Sequence, residues 1–136
     1  MFEYKIDDDQ IWKKINDDHA ENGGVYILKS RESDGEIKSV NRFLKPDKNG
    51  ILYIGKANSF VNRVIELKKS LSPEYLTTSH EAGARHKSHW AMGSYFPYPT
   101  LFVELIKNES PEKEESRLLN NYFKLFGELP PLNRAG

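Results

Sequence analysis

The chain is 136 residues long, 38% hydrophobic and 29% charged, with a formal net charge of zero and no cysteine. That length supports a single domain with a real core, and the composition is that of a folded globular protein rather than a disordered one. The missing cysteines exclude disulfides, zinc–thiolate sites and thiol chemistry; the absence of any apolar run near the roughly 20 residues of a membrane span, and of a signal-peptide core in Met1 to Asp9, makes a cytoplasmic protein the expectation.

Asp7-Asp8-Asp9 offers caps and favourable charge for a first helix, in which Ile11, Trp12 and Ile15 form an apolar stripe through His19. Asn22-Gly23-Gly24 ends it, and Val25 to Leu28 reads as a strand. Turn signals at Ser33-Asp34-Gly35 and Asp47-Lys48-Asn49-Gly50 frame Ile37 to Leu44, an extra strand or hairpin arm within a polar insertion over 31–50. Ile51 to Gly55 is a second strand. Asn58 or Ser59 caps the next helix, whose apolar face is Phe60, Val64, Leu67 and Leu71. Ser72-Pro73 ends that helix, and a loop with a short helix near Ala84 to Met92 follows. Thr100 to Ile106 is a third strand. Ser110-Pro111-Glu112 opens a helix that runs to Phe126 and stops at Gly127. The pattern predicts one mixed α/β (α+β) domain: a central three-stranded sheet flanked by helices, with residues 1–22 as an N-terminal helical extension.

Three features carry chemistry. Tyr53-Ile54-Gly55-Lys56-Ala57 ends a strand, and Arg63 follows on the first full turn of the next helix. A phenol, a Gly-Lys bend and a fixed guanidinium then lie close together, which suits a phosphate. Glu115 precedes Leu118 and Leu119 by three and four residues, so it points with the apolar stripe of Leu118, Leu119, Tyr122, Phe123 and Phe126. A carboxylate there needs a partner, because burying it unpaired costs several kcal/mol. A divalent metal such as Mg²⁺ would serve, and so would an ion pair with Arg63. The charge is also uneven: the first 22 residues are acidic, whereas Lys56 to His89 holds Lys56, Arg63, Lys68, Lys69, Arg85, Lys87 and three histidines against Glu66, Glu74 and Glu81. Either this is a basic face for a nucleic acid or it is an ordinary solvated surface.

The remaining polar and aromatic residues read more blandly. His86 and His89, three apart, make a surface pair rather than a metal site, since no carboxylate completes them. His86, between Arg85 and Lys87, is a candidate for phosphate contact or proton transfer, so Lys56, Arg85, His86 and Lys87 form the candidate nucleic-acid-binding set. Trp90, Tyr95, Phe96 and Tyr98 read first as packing residues and second as base-stacking ones.

Together these residues resemble the GIY-YIG nuclease family. Gly24-Val25-Tyr26 is similar to the first half of its name motif, with Val for Ile, and Tyr53-Ile54-Gly55 matches the second half. Arg63, ten residues after Tyr53, is similarly placed in the nuclease domain of the excision-repair endonuclease subunit. Glu115-x-x-Leu118-Leu119-x-x-Tyr122 resembles the family's glutamate helix, and Asn133 fits its terminal asparagine. The segment between the tyrosine motifs is longer than is usual there.

The resemblance spans residues 23–134. It implies a DNA endonuclease that hydrolyses phosphodiesters with one Mg²⁺ or Mn²⁺. In that reading Glu115 holds the metal and Arg63 the scissile phosphate. Tyr26 contacts the attacking water as the first choice for general base, and Tyr53 orients substrate or water. Asn133, Lys56 and Gly55 support the site, and His80, His86 and His89 compete for an accessory role. DNA is the implied partner, and a protein partner or a homodimer would supply targeting. Repair, phage, mobile-element and restriction settings all remain compatible. A catalytically silent nucleic-acid-binding module derived from such a nuclease is the alternative.

Overall fold

The computed structural model describes residues 2–75, 77 and 79–134. In chain order it contains β1 (Phe2–Lys5), α1 (Ile11–His19), β2 (Gly24–Ser30), β3 (Tyr53–Ala57), α2 (Phe60–Leu71), α3 (Glu81–Ser88), α4 (Met92–Tyr95), β4 (Leu101–Lys107) and α5 (Pro111–Phe126). The sheet has four strands in the order β1-β4-β2-β3, and every pairing is antiparallel.

The fourth strand corrects the expected three. β1 pairs Phe2 with Leu105 and Lys5 with Phe102 at one edge of the sheet, so residues 1–22 are not simply a helical extension. Only Tyr4 of this strand is buried, and one apolar contact in four charged or exposed residues carries little period-2 signal. β2 lies between two neighbours and is buried along its whole length, which explains its unbroken apolar run.

Alternation along β2 divides the core. Tyr26 and Leu28 point to one face, where Ile11 and Ile15 of α1 and Phe60, Val64 and Leu67 of α2 pack with Ala82 of α3. Val25 and Ile27 point to the other face and meet Ile54, Ile106 and the α5 residues Leu118 and Leu119. The sheet is thus sandwiched between α1, α2 and α3 on one side and α5 on the other. Trp12 and Phe123 depart from the predicted stripes: each is about half exposed, while His19 and Tyr122 take the inward positions.

The expected hairpin arm does not form. Residues 31–52 carry only two isolated bridges, Arg31 to Ile37 and Val40 to Asp47. Asp47 organises this segment from inside: its carboxylate accepts from the backbone N–H groups of Asn49 (2.9 Å) and Ile51 (3.0 Å). The helix ends hold more closely than the caps: Gln10, Ser59 and Ser110 precede α1, α2 and α5, and none makes a side-chain capping bond. Asp8 accepts from the Gln10 N–H just before α1. Pro111 opens α5, and Gly127 ends it at φ 75°, a left-handed conformation that glycine adopts without Cβ strain. Among the described residues, no helix is long and apolar enough to cross a membrane.

Candidate active site

β3 is an edge strand, and a cleft of about 850 Å³ opens beside it between α2 and the first turns of α5. Tyr26, Tyr53, Lys56, Arg63 and Glu115 all line this cleft, although they come from four different elements. Register makes the convergence possible. Tyr26 stands opposite Gly55 across the β2–β3 ladder. A Cβ on Gly55 would lie 2.4 Å from Tyr26 Cζ, 2.5 Å from its hydroxyl and 2.7 Å from Tyr53 Cε2. The glycine therefore leaves the space through which the Tyr26 ring reaches the cleft. The two rings are tilted, with centroids 6.0 Å apart.

His80 completes this group, and its hydrogen bonds fix its tautomer. It precedes α3, and its Nδ1 accepts from the Ala82 N–H at 3.0 Å. The neutral ring therefore carries its proton on Nε2, which lies 2.7 Å from the Tyr26 hydroxyl oxygen and donates to it. Burial, followed by the charge of Arg63, drives the His80 pKa down to about 3, so the ring stays neutral at ordinary pH. The His80 backbone N–H is itself held by Ser70 Oγ at 3.1 Å.

Tyr26 is fully buried, and burial raises its pKa to about 12 against the opposing pull of Arg63. A phenolate standing at neutral pH is therefore not available, even with Arg63 beside it. Arg63 donates to the Glu66 carboxylate at 2.5 Å, and its charge is felt at the Tyr26 phenol. Tyr53 is also held protonated, chiefly by burial. Its hydroxyl donates to Glu81 Oε2 at 3.2 Å.

Glu115 is half-buried beside β3. Burial raises its pKa, and the Glu81 and Glu112 charges add to this, while Lys56 opposes it. The ion pair with Arg63 does not form, since Arg63 pairs with Glu66 and the Lys56 ammonium lies 3.9 Å from Glu112. Among the described residues, no group of three or more His, Asp or Glu side chains could enclose a metal. Glu115 and the other carboxylates lining the cleft are donors of the kind that an ion such as Mg²⁺, held by one or two carboxylates with water and phosphate oxygens completing its shell, would use.

Asn133 braces the edge strand from the tail. Its side-chain oxygen accepts from the Ile54 N–H at 3.0 Å, and its Nδ2 donates to the Ile54 carbonyl at 2.9 Å. It thereby satisfies both backbone groups of one residue on an unpaired edge.

The basic set from α3 does not gather here. His86 is buried, and its Nε2 donates to the Phe96 carbonyl at 2.8 Å, so it ties α3 to the following loop and is not presented to a phosphate. Lys87 donates to the Tyr75 carbonyl at 2.6 Å, and Arg85 lines a separate depression with Phe123 and Pro131. His89 is exposed and lies nearly parallel to the Trp90 ring. The packing role read for the aromatics fits buried Phe96 and partly buried Tyr98, but Trp90 is 88% exposed and Tyr95 is exposed as well.

His80 and Glu81 are the site residues that sequence reasoning left unresolved or missed. In the sequence His80 is one of three histidines competing for an accessory role, and Glu81 is an acid among bases. His80 is 54 residues from Tyr26, so no local spacing connects them. Comparison of the chain with protein-family models, with curated proteins and with solved structures finds no match.

Proposed function

We propose that this chain is a divalent-metal-dependent DNA endonuclease of the GIY-YIG type. One observation carries the reading: Tyr26, Tyr53, Arg63 and Glu115, the four residues that the motif resemblance selects, line a single cleft. Of these, Arg63 and Glu115 supply a cation for a phosphate and a carboxylate for a metal, with Lys56 beside them.

Arg63, always charged, would turn from Glu66 to a phosphate oxygen and stabilise the charge that builds on it. Glu115 would hold Mg²⁺ or Mn²⁺, and Glu66, Glu81 and Glu112 also line the cleft. When bound, such an ion supplies positive charge to the phosphate and to the leaving 3′ oxygen. Tyr26 accepts from His80 Nε2 on one side and faces Arg63 on another. The Tyr26 oxygen keeps a second lone pair to which the attacking water would donate. Asn133 keeps β3, and with it Gly55 and Tyr53, in register.

The test is a cleavage screen over duplex, single-stranded, flap and branched DNA with Mg²⁺ or Mn²⁺. Arg63→Ala and Glu115→Gln should each lose at least about 100-fold in rate. Glu115→Gln should unfold no earlier than wild type. A carboxyl whose pKa is raised by folding loses stability as pH rises through that pKa, so the neutral amide removes a penalty present at pH 7. Cleavage that persists in excess chelator would remove the metal role. The zero net charge favours the silent binding module, and a wild type that shifts DNA but cuts none of it with either metal would establish that reading instead.

A further inference from the structure

The depression that holds Arg85 is joined to the cleft. Glu112 and Lys113 line the cleft and also a shallow hollow on the outer side of α5, and Asn120 belongs to both that hollow and the Arg85 depression. Shared walls make the three one trough. Helix period explains its course. Glu112, Ser116, Asn120 and Phe123 stand at i, i+4, i+8 and i+11 on α5, so they form one stripe about 16 Å long at 1.5 Å per residue. On the other wall Glu81 lines the cleft, and Arg85, one turn further along α3, lines the depression. The tail joins the walls: Asn133 lines the depression, and the Arg134 N–H donates to Glu81 Oε1 at 3.0 Å.

Charge and exposure say what the far end of this trough suits. Its carboxylates are already matched: Glu128 pairs with Arg42 at 2.7 Å, and Glu112 lies 3.9 Å from the Lys56 ammonium. Among the described residues, neither Arg85 nor Lys113 forms an ion pair, so the charge left over is positive. Phe123 lines the same depression as Arg85 with its ring 55% exposed. A free guanidinium beside an open aromatic face matches a single nucleic-acid strand, whose phosphate meets the cation and whose base stacks on the ring. A paired base in a duplex has no free face to offer.

We propose that this trough holds an unpaired DNA strand running away from the scissile phosphate, with Arg85 and Lys113 on its phosphates and Phe123 under one of its bases. The inference rests on the nuclease reading of the cleft and names its substrate class: a duplex with a single-stranded arm. The stripe from Glu112 to Phe123 spans about five nucleotides at roughly 3.4 Å each. Arg42 has a different task. Its guanidinium donates to the Leu129 carbonyl at 2.9 Å and pairs with Glu128, so the 31–50 insertion fastens the tail that walls the trough.

The experiment measures binding of the full chain, by fluorescence anisotropy in chelator, to a blunt duplex and to the same duplex with a tail of about five thymidines. Cleavage of both with Mg²⁺ or Mn²⁺ is then followed separately. Wild type should bind the tailed duplex about 10-fold or more tighter. Phe123→Ala should erase most of that margin, and Phe123→Trp should keep it, because any aromatic face can stack. Arg85→Gln should lower the slope of log K against log salt by about 0.7, the value for one single-strand phosphate contact, and Arg85→Lys should restore it. Leu125→Ala removes an equally exposed α5 residue outside the trough and should keep the margin; thermal unfolding confirms that each variant folds. A wild type that binds both duplexes alike, or Phe123→Ala that keeps the margin, would overturn the strand site, while cutting of either duplex would leave the nuclease reading intact. Phe123→Ala that keeps the margin but turns a dimer into a monomer would give this face to a second copy of the chain. A margin that Phe123→Ala erases, in a protein that cuts neither DNA with either metal, would overturn the nuclease reading and leave the strand site standing.

Discussion

Gly55→Ala tests the geometry of the site most directly. The added Cβ would approach Tyr26 Cζ to 2.4 Å and Tyr53 Cε2 to 2.7 Å. Non-bonded carbons prefer about 3.5–4.0 Å, so the overlap is roughly 1 Å. Neither ring has an easy escape. Tyr26 is fully buried and fastened to His80 at 2.7 Å, and the Tyr53 ring packs edge-on against His80 at 5.3 Å. Overpacking of this kind costs about 1–3 kcal/mol. At roughly 4 °C per kcal/mol for a domain of this length, Tm should fall by about 4–12 °C. The displacement also moves the Tyr26 oxygen from its donors, and a misplacement of about 1 Å should lower cleavage about 100-fold. Thermal unfolding reads the first effect and single-turnover cleavage the second. Gly93→Ala is the matched control, because its Cβ would meet nothing closer than His86 Cε1 at 4.0 Å. It should leave Tm unchanged or raise it by the equivalent of roughly 0.4–1 kcal/mol. A Gly55→Ala protein that unfolds with wild type and keeps its cleavage rate would refute the claim that glycine is there to admit the tyrosine rings.

Two further outcomes follow from the hydrogen bonds. His80 should make the fold acid-sensitive: its pKa lies near 3 in the folded chain against a usual 6.5, so the unfolded state binds the extra proton, and stability present above about 6.5 is lost as pH falls toward 3. The slope from this group is at most about 1.4 kcal/mol per pH unit, and His80→Gln should flatten that limb in urea titrations between pH 4 and pH 6.5, a range estimated from the same linkage. An unchanged slope would mean that His80 is not held neutral. Asn133→Ala removes both side-chain bonds to Ile54 on the edge strand and should cost about 1–3 kcal/mol in chemical denaturation, with a smaller loss if water replaces them.

Much of this architecture is written locally. The strand over Val25 to Leu28, the helix face of Phe60, Val64, Leu67 and Leu71, and the Pro111 and Gly127 boundaries each depend on a few neighbouring residues. Their side-chain period or backbone preference acts within one element. Glu115 was visible for the same reason, since a carboxylate on an apolar helix stripe is a local contradiction. β1 escaped notice because its register is set by β4, about a hundred residues later. Asp47 does open the predicted turn, with the Gly50 N–H reaching its carbonyl at 3.2 Å, but its carboxylate is also a buried acceptor for two backbone N–H groups, which organises the insertion without a hairpin ladder.

The sequence by itself determined which residue types were present for phosphate chemistry, and that Tyr26, Tyr53, Arg63 and Glu115 belong to elements able to point inward. Only the tertiary structure decided what those groups can do. Burial holds Tyr26 as a neutral phenol, and the Ala82 N–H selects the tautomer of His80. The paired strands bring Gly55 under one ring, while α3 carries Glu81 to the other. It also withdrew His86, whose place beside Arg85 and Lys87 suggested a phosphate contact and whose ring instead bonds a backbone carbonyl. The physical reason is common to all of these. Protonation state and hydrogen-bond direction depend on solvent exclusion and on partners tens of residues away, and no local pattern encodes either.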